Sequence, residues 1–363
     1  MTSASPQVWR GEHGVAGWRC PVTLVFGGGR MTFVYLCGLR ENALVGVIPY
    51  TRGLHELEPG TYAYLSPPGT WGWSNCGLVV SGDVALLVDT QFDLSMTDSL
   101  RAAVAATVPS AAVATVVTTH ANGDHCWGNQ LFSDAVIIGS AASAHGMADE
   151  VQPAQLAALS GVGSPDSPLG DYMRRHFGHF DFSGITVTPP TRTFSGRLDV
   201  PVGDRVVELM EVGPAHTDGD VIVYVPDAGV IFAGDILFIG DHPIMWTGPA
   251  ENWIAACERI IDTGARHVVP GHGPVTDLAG VRHFREYLGL VADQAAQGYA
   301  AGVPYWDAAA NVELPDVYAG WGHRERLVIT MAAAYRHLGA EPADLMETLG
   351  HAAAMEQRLL SGR

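Results

Sequence analysis

Between residues 57 and 275 the chain alternates short apolar runs with stretches of helical spacing. Leu78-Val79-Val80 and Val84-Ala85-Leu86-Leu87-Val88 flank Ser81-Gly82-Asp83, the pattern of a hairpin. Residues 95–107 have helical spacing, which Val108-Pro109 stops. Ala114-Thr115-Val116-Val117-Thr118-Thr119 reads as a buried strand, Val136-Ile137-Ile138 as another, and residues 140–148 as a helix. Residues 150–183, rich in Pro, Gly and Ser between short helical pieces, form an insertion. Strands return over 185–235 in the order of the first half, and a helix at 250–262 and a strand at 267–269 close the unit. Beyond 276 the pattern is mainly helical, over 276–298, 324–337 and 341–359. Two strand-rich halves of this kind predict an α+β four-layer αββα sandwich with a helical C-terminal extension. The expected divisions are 1–55, an extension; 56–275, the main domain; and 276–363, helices packing on it.

The first 55 residues match nothing that follows. Phe26-Gly27-Gly28-Gly29 lacks the lysine and the spacing of a phosphate-binding loop. The segment is expected to be poorly ordered, or to reflect a start codon placed too early. Composition then narrows the partners. A chain of 363 residues with 20 Lys and Arg against 38 Asp and Glu has a formal net charge of −18. Such a surface repels phosphate backbones, which argues against nucleic acid and favours an uncharged or cationic small molecule. Five cysteines, Cys20, Cys37, Cys76, Cys126 and Cys257, form no CxxC pair and suggest a reduced, cytoplasmic protein. No apolar run reaches the roughly 20 residues of a membrane span, and no secretory signal is convincing. Oligomeric state is left open.

The chemistry concentrates in His120-Ala121-Asn122-Gly123-Asp124-His125, four N/O donors in six residues directly after a predicted strand. Divalent metals, zinc most commonly, take such donors. A short loop is expected here, because it can splay neighbouring side chains around two positions. Further donors follow in order. His216 and Asp220 come after the strand-like Arg205–Met210, Asp235 after Val230-Ile231-Phe232, and His272 after His267-Val268-Val269. Cys126 beside His125 is either a further ligand or a small buried residue; the latter is favoured.

These four motifs, in order over roughly Trp71 to Pro274, resemble the metallo-β-lactamase superfamily. The resemblance implies two metal sites: His120, Asn122 and His216 around the first, and Asp124, His125 and His272 around the second. Asp235 would bridge them. It also implies Zn2+, one ion or two, with iron or manganese open because Asn122 stands where the family pattern has histidine. An amide oxygen is a weaker, uncharged ligand. Other branches of the superfamily substitute this position too, including iron-using oxidoreductases.

The implied function is a metal-dependent hydrolase using metal-bound hydroxide on an ester, lactone, thioester or amide bond of a small, rather apolar molecule. Asp124 is the catalytic candidate, orienting the nucleophile and passing a proton to the leaving group. Thr119, Thr217 and Asp220 are candidates to hold the imidazoles. Two alternatives remain: hydrolytic dehalogenation of an activated aromatic, and an iron-dependent oxidoreductase of the same fold. No GxSxG motif supports a serine nucleophile. Among the aromatics near the motifs, Trp246 is expected to face a ligand and Trp127 to serve packing. His242 reads equally as an acid/base or a solvated loop residue. Trp321, Glu325 and Arg326 are expected to tie the C-terminal helices together.

Overall fold

A computed structural model describes residues 8–15, 18–27, 30–35, 48–162 and 167–362. It divides into two compact units, Met1–Val47 and Ile48–Arg363. In the first unit β1 (Val8–Val15), β2 (Trp18–Gly27) and β3 (Arg30–Tyr35) pair antiparallel in that order. Where this segment is described it is strand. Its Val- and Thr-rich runs, among them Val22-Thr23-Leu24-Val25, suit extended backbone. Gly28-Gly29 of the glycine-rich stretch and residues 36–47 lie outside the described residues. The second unit starts ahead of the expected boundary at 56, because residues 53–58 already form a strand of its first sheet.

That first sheet has seven strands: β4 (Gly53–Glu58), β5 (Thr61–Leu65), β6 (Cys76–Ser81), β7 (Val84–Val88), β8 (Ala112–Val117), β9 (Val136–Ser140) and β10 (Arg192–Phe194), hydrogen-bonded in chain order. From β4 to β7 the pairing is antiparallel, and from β7 to β10 it is parallel. A parallel step needs a crossover. Helix α1 (Leu94–Thr107), capped by the Asp93 carboxylate on the Met96 N–H at 2.7 Å, supplies the one between β7 and β8. After β8 come α2 (Gly123–Cys126), then α3 (Ala141–Gly146), α4 (Pro153–Val162) and α5 (Pro168–Phe177), the last two forming the insertion.

The second sheet has five strands in chain order, β11 (Arg197–Val202), β12 (Arg205–Glu211), β13 (Val221–Val225), β14 (Val230–Phe232) and β15 (His267–Val269). It repeats the logic of the first, antiparallel hairpins and then one parallel step, with α6 (Ala250–Asp262) as the crossover. Leu65, Val79, Leu86 and Val88 of one sheet bury against Val207, Leu209, Val223 and Phe232 of the other. This is the αββα sandwich, held chiefly by apolar burial between its layers.

The C-terminal residues add α7 (Leu278–Ala300), α8 (Tyr305–Ala310), α9 (Leu327–His337) and α10 (Leu345–Ser361). Trp253 and Ile260 of α6 share one core with Phe284 and Tyr287 of α7 and with Leu327 and Met331 of α9. The C-terminal helices thus belong to the same compact unit. The six-residue α8 is too short to produce a readable period. No helix among the described residues is long and apolar enough to cross a membrane.

Candidate metal centre

Every expected ligand sits at the C-terminal edge of a strand or just beyond it, at one end of the sandwich. His120 and Asn122 lie on the backbone after β8, and Asp124 and His125 lie on α2. The expected loop is in fact one helical turn. Successive residues on a helix point about 100° apart, which already aims Asp124 and His125 at different positions. His216 follows β12, Asp235 follows β14 and His272 follows β15.

These side chains converge. His120, His125 and Asp235 form one group of potential metal donors, and Asp124, His125 and His272 another. Asp235 lies centrally: its carboxylate oxygens are 3.0 Å from His125 Nε2, 3.4 Å from His216 Nε2, 3.4 Å from His272 Nε2 and 3.9 Å from His120 Nε2. Asp124 Oδ2 is 3.3 Å from His272 Nε2 and 3.9 Å from His125 Nε2. Asn122 Oδ1 stands 2.8 Å from His216 Nε2, while its Nδ2 donates to Glu150 Oε2 at 3.2 Å. Glu150 therefore turns the amide so that its oxygen faces inward.

The outward bonds test whether a cation fits. His125 Nδ1 meets Asp89 Oδ2 at 2.8 Å, His216 Nδ1 the Ile244 carbonyl at 2.6 Å, and His272 Nδ1 the Gly69 carbonyl at 3.1 Å. His120 Nδ1 meets Thr119 Oγ1 at 3.0 Å, and that hydroxyl donates to Asp89 Oδ2 at 2.7 Å. These oxygens all serve as acceptors for Nδ1–H, so each imidazole can turn a bare Nε2 inward. Buried His120 Nε2 has no hydrogen-bond partner, and His125 Nε2 and Asp235 Oδ1 face only each other, at 3.0 Å. Buried acceptors left facing one another are costly, and a divalent cation is what satisfies them together. The donor set, imidazole nitrogen with carboxylate and amide oxygen, suits zinc, iron or manganese.

The electrostatics agree. Burial opposes ionisation of Asp235, yet His272 and His125 hold it well below the ordinary carboxylate range. Burial likewise opposes charge on His272, but Asp235 and Asp124 raise it to about 9. His120 and His216 are pushed down, first by burial. Positive charge on His125 and His272 thus stands where a cation would otherwise balance the carboxylates.

Asp89 is the functional residue that sequence reasoning passed over. It joins His125, Thr119 and, through Thr119, His120, with Thr119 N–H donating to it at 2.7 Å. Its only signal is a carboxylate directly after a buried strand. Its left-handed backbone, φ 63°, has no sequence signature. Thr217 and Asp220 bond each other and shape the His216 loop without reaching an imidazole. Cys126 donates to the Ala121 carbonyl at 3.3 Å and is a buried packing residue. Phe238 stacks on His272 with ring centroids 5.2 Å apart.

The centre opens into a cavity of about 340 Å³, within the usual range for small-molecule sites. Trp246 lines it, as expected. Trp127 both lines it and stacks on Phe92. The insertion contributes Leu156 and Phe177, and α10 contributes Leu349. His242 is neither a solvated residue nor a lining one: it is buried and bonds the Tyr287 hydroxyl at 2.7 Å. Trp321 packs with Tyr287 and Phe284 of α7, whereas Glu325 pairs with His323 at 3.2 Å within its own helical turn. Arg326 instead lines the cavity.

Residues 69–272 match the profile of the Metallo-beta-lactamase superfamily, a span that takes in every one of these candidate donors. The chain belongs to this superfamily. Among metallo-β-lactamases of known structure, one from Pontibacter korlensis is 18% identical, with a TM-score of 0.51 over 66% of this chain and 99% of that one. A double mutant of the sec-alkyl sulfatase PisA1 gives a TM-score of 0.61 at 16% identity, over 81% of this chain and 51% of that one. Both show the superfamily fold, and the second extends further across this chain. Among curated relatives, 2,4-dinitroanisole O-demethylase subunit alpha of Nocardioides sp. is 27% identical over 54% of this chain and 51% of its own. The human acyl-coenzyme A thioesterase MBLAC2 is 26% identical over 43% of this chain and 54% of its own. The chain spans about half the length of these curated relatives.

Proposed function

We propose that this metallo-β-lactamase-fold protein is a metal-dependent, zinc-using hydrolase of an ester, lactone, thioester or amide bond in a small molecule. One observation carries the reading: bare Nε2 acceptors and carboxylate oxygens converge on one point beside an apolar cavity. A divalent cation there would supply Lewis acidity, lowering the pKa of water and polarising a carbonyl. His120, Asn122, His216 and Asp235 would hold one ion, and Asp124, His125, His272 and Asp235 a second. Asp124, less deeply buried than the imidazoles, would orient the attacking water and deliver a proton to the leaving group. His272 holds that carboxylate from one side. Trp71, Phe177 and Leu349 exclude bulk water from the cavity and favour an apolar substrate body.

The test is metal quantification on purified protein alongside a screen of aryl esters, thioesters and lactones. Zinc at one or two equivalents with turnover, both lost in His125→Ala, is the expected result. Mostly iron with a redox-active spectrum would overturn the zinc hydrolase reading. A second reading, attack of water on an activated aromatic carbon, is favoured by the aromatic lining of Trp71, Phe92 and Trp246 and by the likeness to the dinitroanisole O-demethylase subunit. Release of phenolate or halide from nitroaromatics without ester turnover would select it.

A further inference from the structure

We propose that the substrate carries a compact oxyanionic group, a carboxylate or a sulfonate-like group, and that Arg326 receives it. This deepens the hydrolase reading and rests on it for the bond that is broken. The charge of −18 points toward uncharged or cationic substrates. The cavity itself points the other way.

Arg326 ends the helical turn that precedes α9, is 1% exposed, and lines the cavity. A guanidinium has five N–H donors in a rigid fork and keeps its charge. Here those donors are poorly used. Nη1 reaches the His242 carbonyl only at 3.4 Å and Asp241 Oδ2 only at 4.0 Å. Nε is buried with no partner among the described residues. The neighbouring carboxylate, Glu325, hydrogen-bonds His323, and the Arg326 charge acts on it only after that contact. The guanidinium carbon lies 4.7 Å from the centroid of the Trp71 ring, and Trp71 lines the cavity as well. Trp71 Nε1 and the Tyr172 hydroxyl behind it are buried, and the indole N–H is turned to that hydroxyl. A buried guanidinium with an unused Nε donor thus stands at one wall. Burying a cation this way is expensive unless an anion completes it.

The cavity's own carboxylates do not fill that role. Glu150 bonds Asn122, and Asp149 and Asp218 gather near Glu150. The cavity is therefore polarised, acidic around Asn122 and cationic around Arg326. A substrate would lay its anion against Arg326, its apolar body along Phe177 and Leu349, and its reacting bond at Asp124. A cavity of about 340 Å³ accommodates an aromatic or short aliphatic molecule bearing both groups.

The test uses the full-length, metal-loaded protein. Calorimetry would compare benzoate and benzenesulfonate with their uncharged counterparts benzamide and benzenesulfonamide, in the wild type and in Arg326→Met. The anions should bind the wild type roughly tenfold or more tightly than the amides, and Arg326→Met should erase the difference. Anions held by the metal alone would bind the variant as well as the wild type, and that result overturns the proposal. Preference between the planar and the tetrahedral anion identifies the group. Turnover supplies the second arm, with 4-acetoxybenzoate against 4-acetoxybenzamide. Arg326→Met should raise KM for the anionic ester roughly tenfold more than for the amide ester. Equal kcat/KM for the two esters in the wild type overturns the anion site and leaves the hydrolase reading standing. Arg326-dependent benzoate binding with no ester turnover does the reverse. Should Arg326→Met not fold, Arg326→Lys replaces it: weakened anion binding supports the proposal, and unchanged affinity overturns it.

Discussion

Gly271 shows how narrowly single positions shape the centre. A Cβ built there would lie 1.9 Å from Asp235 Oδ1 and 2.8 Å from the Gly234 backbone. Gly271→Ala must therefore push the central carboxylate aside while leaving the two sheets intact. The expected outcome is a folded protein by circular dichroism whose metal affinity falls about tenfold or more. Normal metal content after dialysis against a chelating buffer would show that the loop absorbs the methyl group. In the sequence this glycine reads only as a turn residue beside His272. Its close approach to Asp235 is a tertiary fact that no local pattern encodes. Asn122 is the converse case. Its departure from the superfamily pattern was legible at once, but its orientation was not, because Glu150, 28 residues on, sets it.

At the level of elements, strands and long helices were legible where periodicity was strong, as in β8, α1 and α7. The donor-bearing segment was not, because a single helical turn is too short to show a period. The loop carrying His242 illustrates packing that sequence cannot display. His242 is enclosed by Tyr287 of α7, by Trp321, and by His323, Arg324, Glu325 and Arg326. Burial, with the Arg324 charge next, lowers its pKa to about 3 from the ordinary 6.5. Between those values the unfolded chain binds the proton and the folded one does not. Stability contributed here is present above pH 6.5 and is lost as pH falls through the window toward 3. A tenfold change in proton affinity is worth about 1.4 kcal/mol, so the loss amounts to a few kcal/mol. Urea unfolding at pH 7 and pH 4.5 should therefore show a smaller drop in His242→Phe than in wild type. An identical drop would assign the acid sensitivity elsewhere.

Across the whole molecule, the centre joins the two sheets. His120, Asn122, Asp124 and His125 come from the first sheet's strand ends, and His216, Asp235 and His272 from the second's. An ion held by both stabilises only the assembled sandwich, so chelation should lower Tm and restored metal should raise it with concentration. At a hundredfold excess over Kd the linkage amounts to about 2.7 kcal/mol, a shift of several degrees at most for a unit of this size. A Tm indifferent to chelator, with metal removal verified, would refute it. The sandwich and its ligand order were readable because strand, turn and donor recur together four times. The cavity wall was not, since α5, α10 and Arg326 meet there only through long-range packing. That division between sheets also sets an order of assembly. Asn122 meets His216 across 94 residues, and Asn75 locks onto the Gly273 carbonyl across 198. A nascent chain halfway through synthesis carries the first donors with nothing opposite them. An ion that needs donors from both sheets would be captured fully only once both have formed, and its occupancy would mark that folding has reached its end.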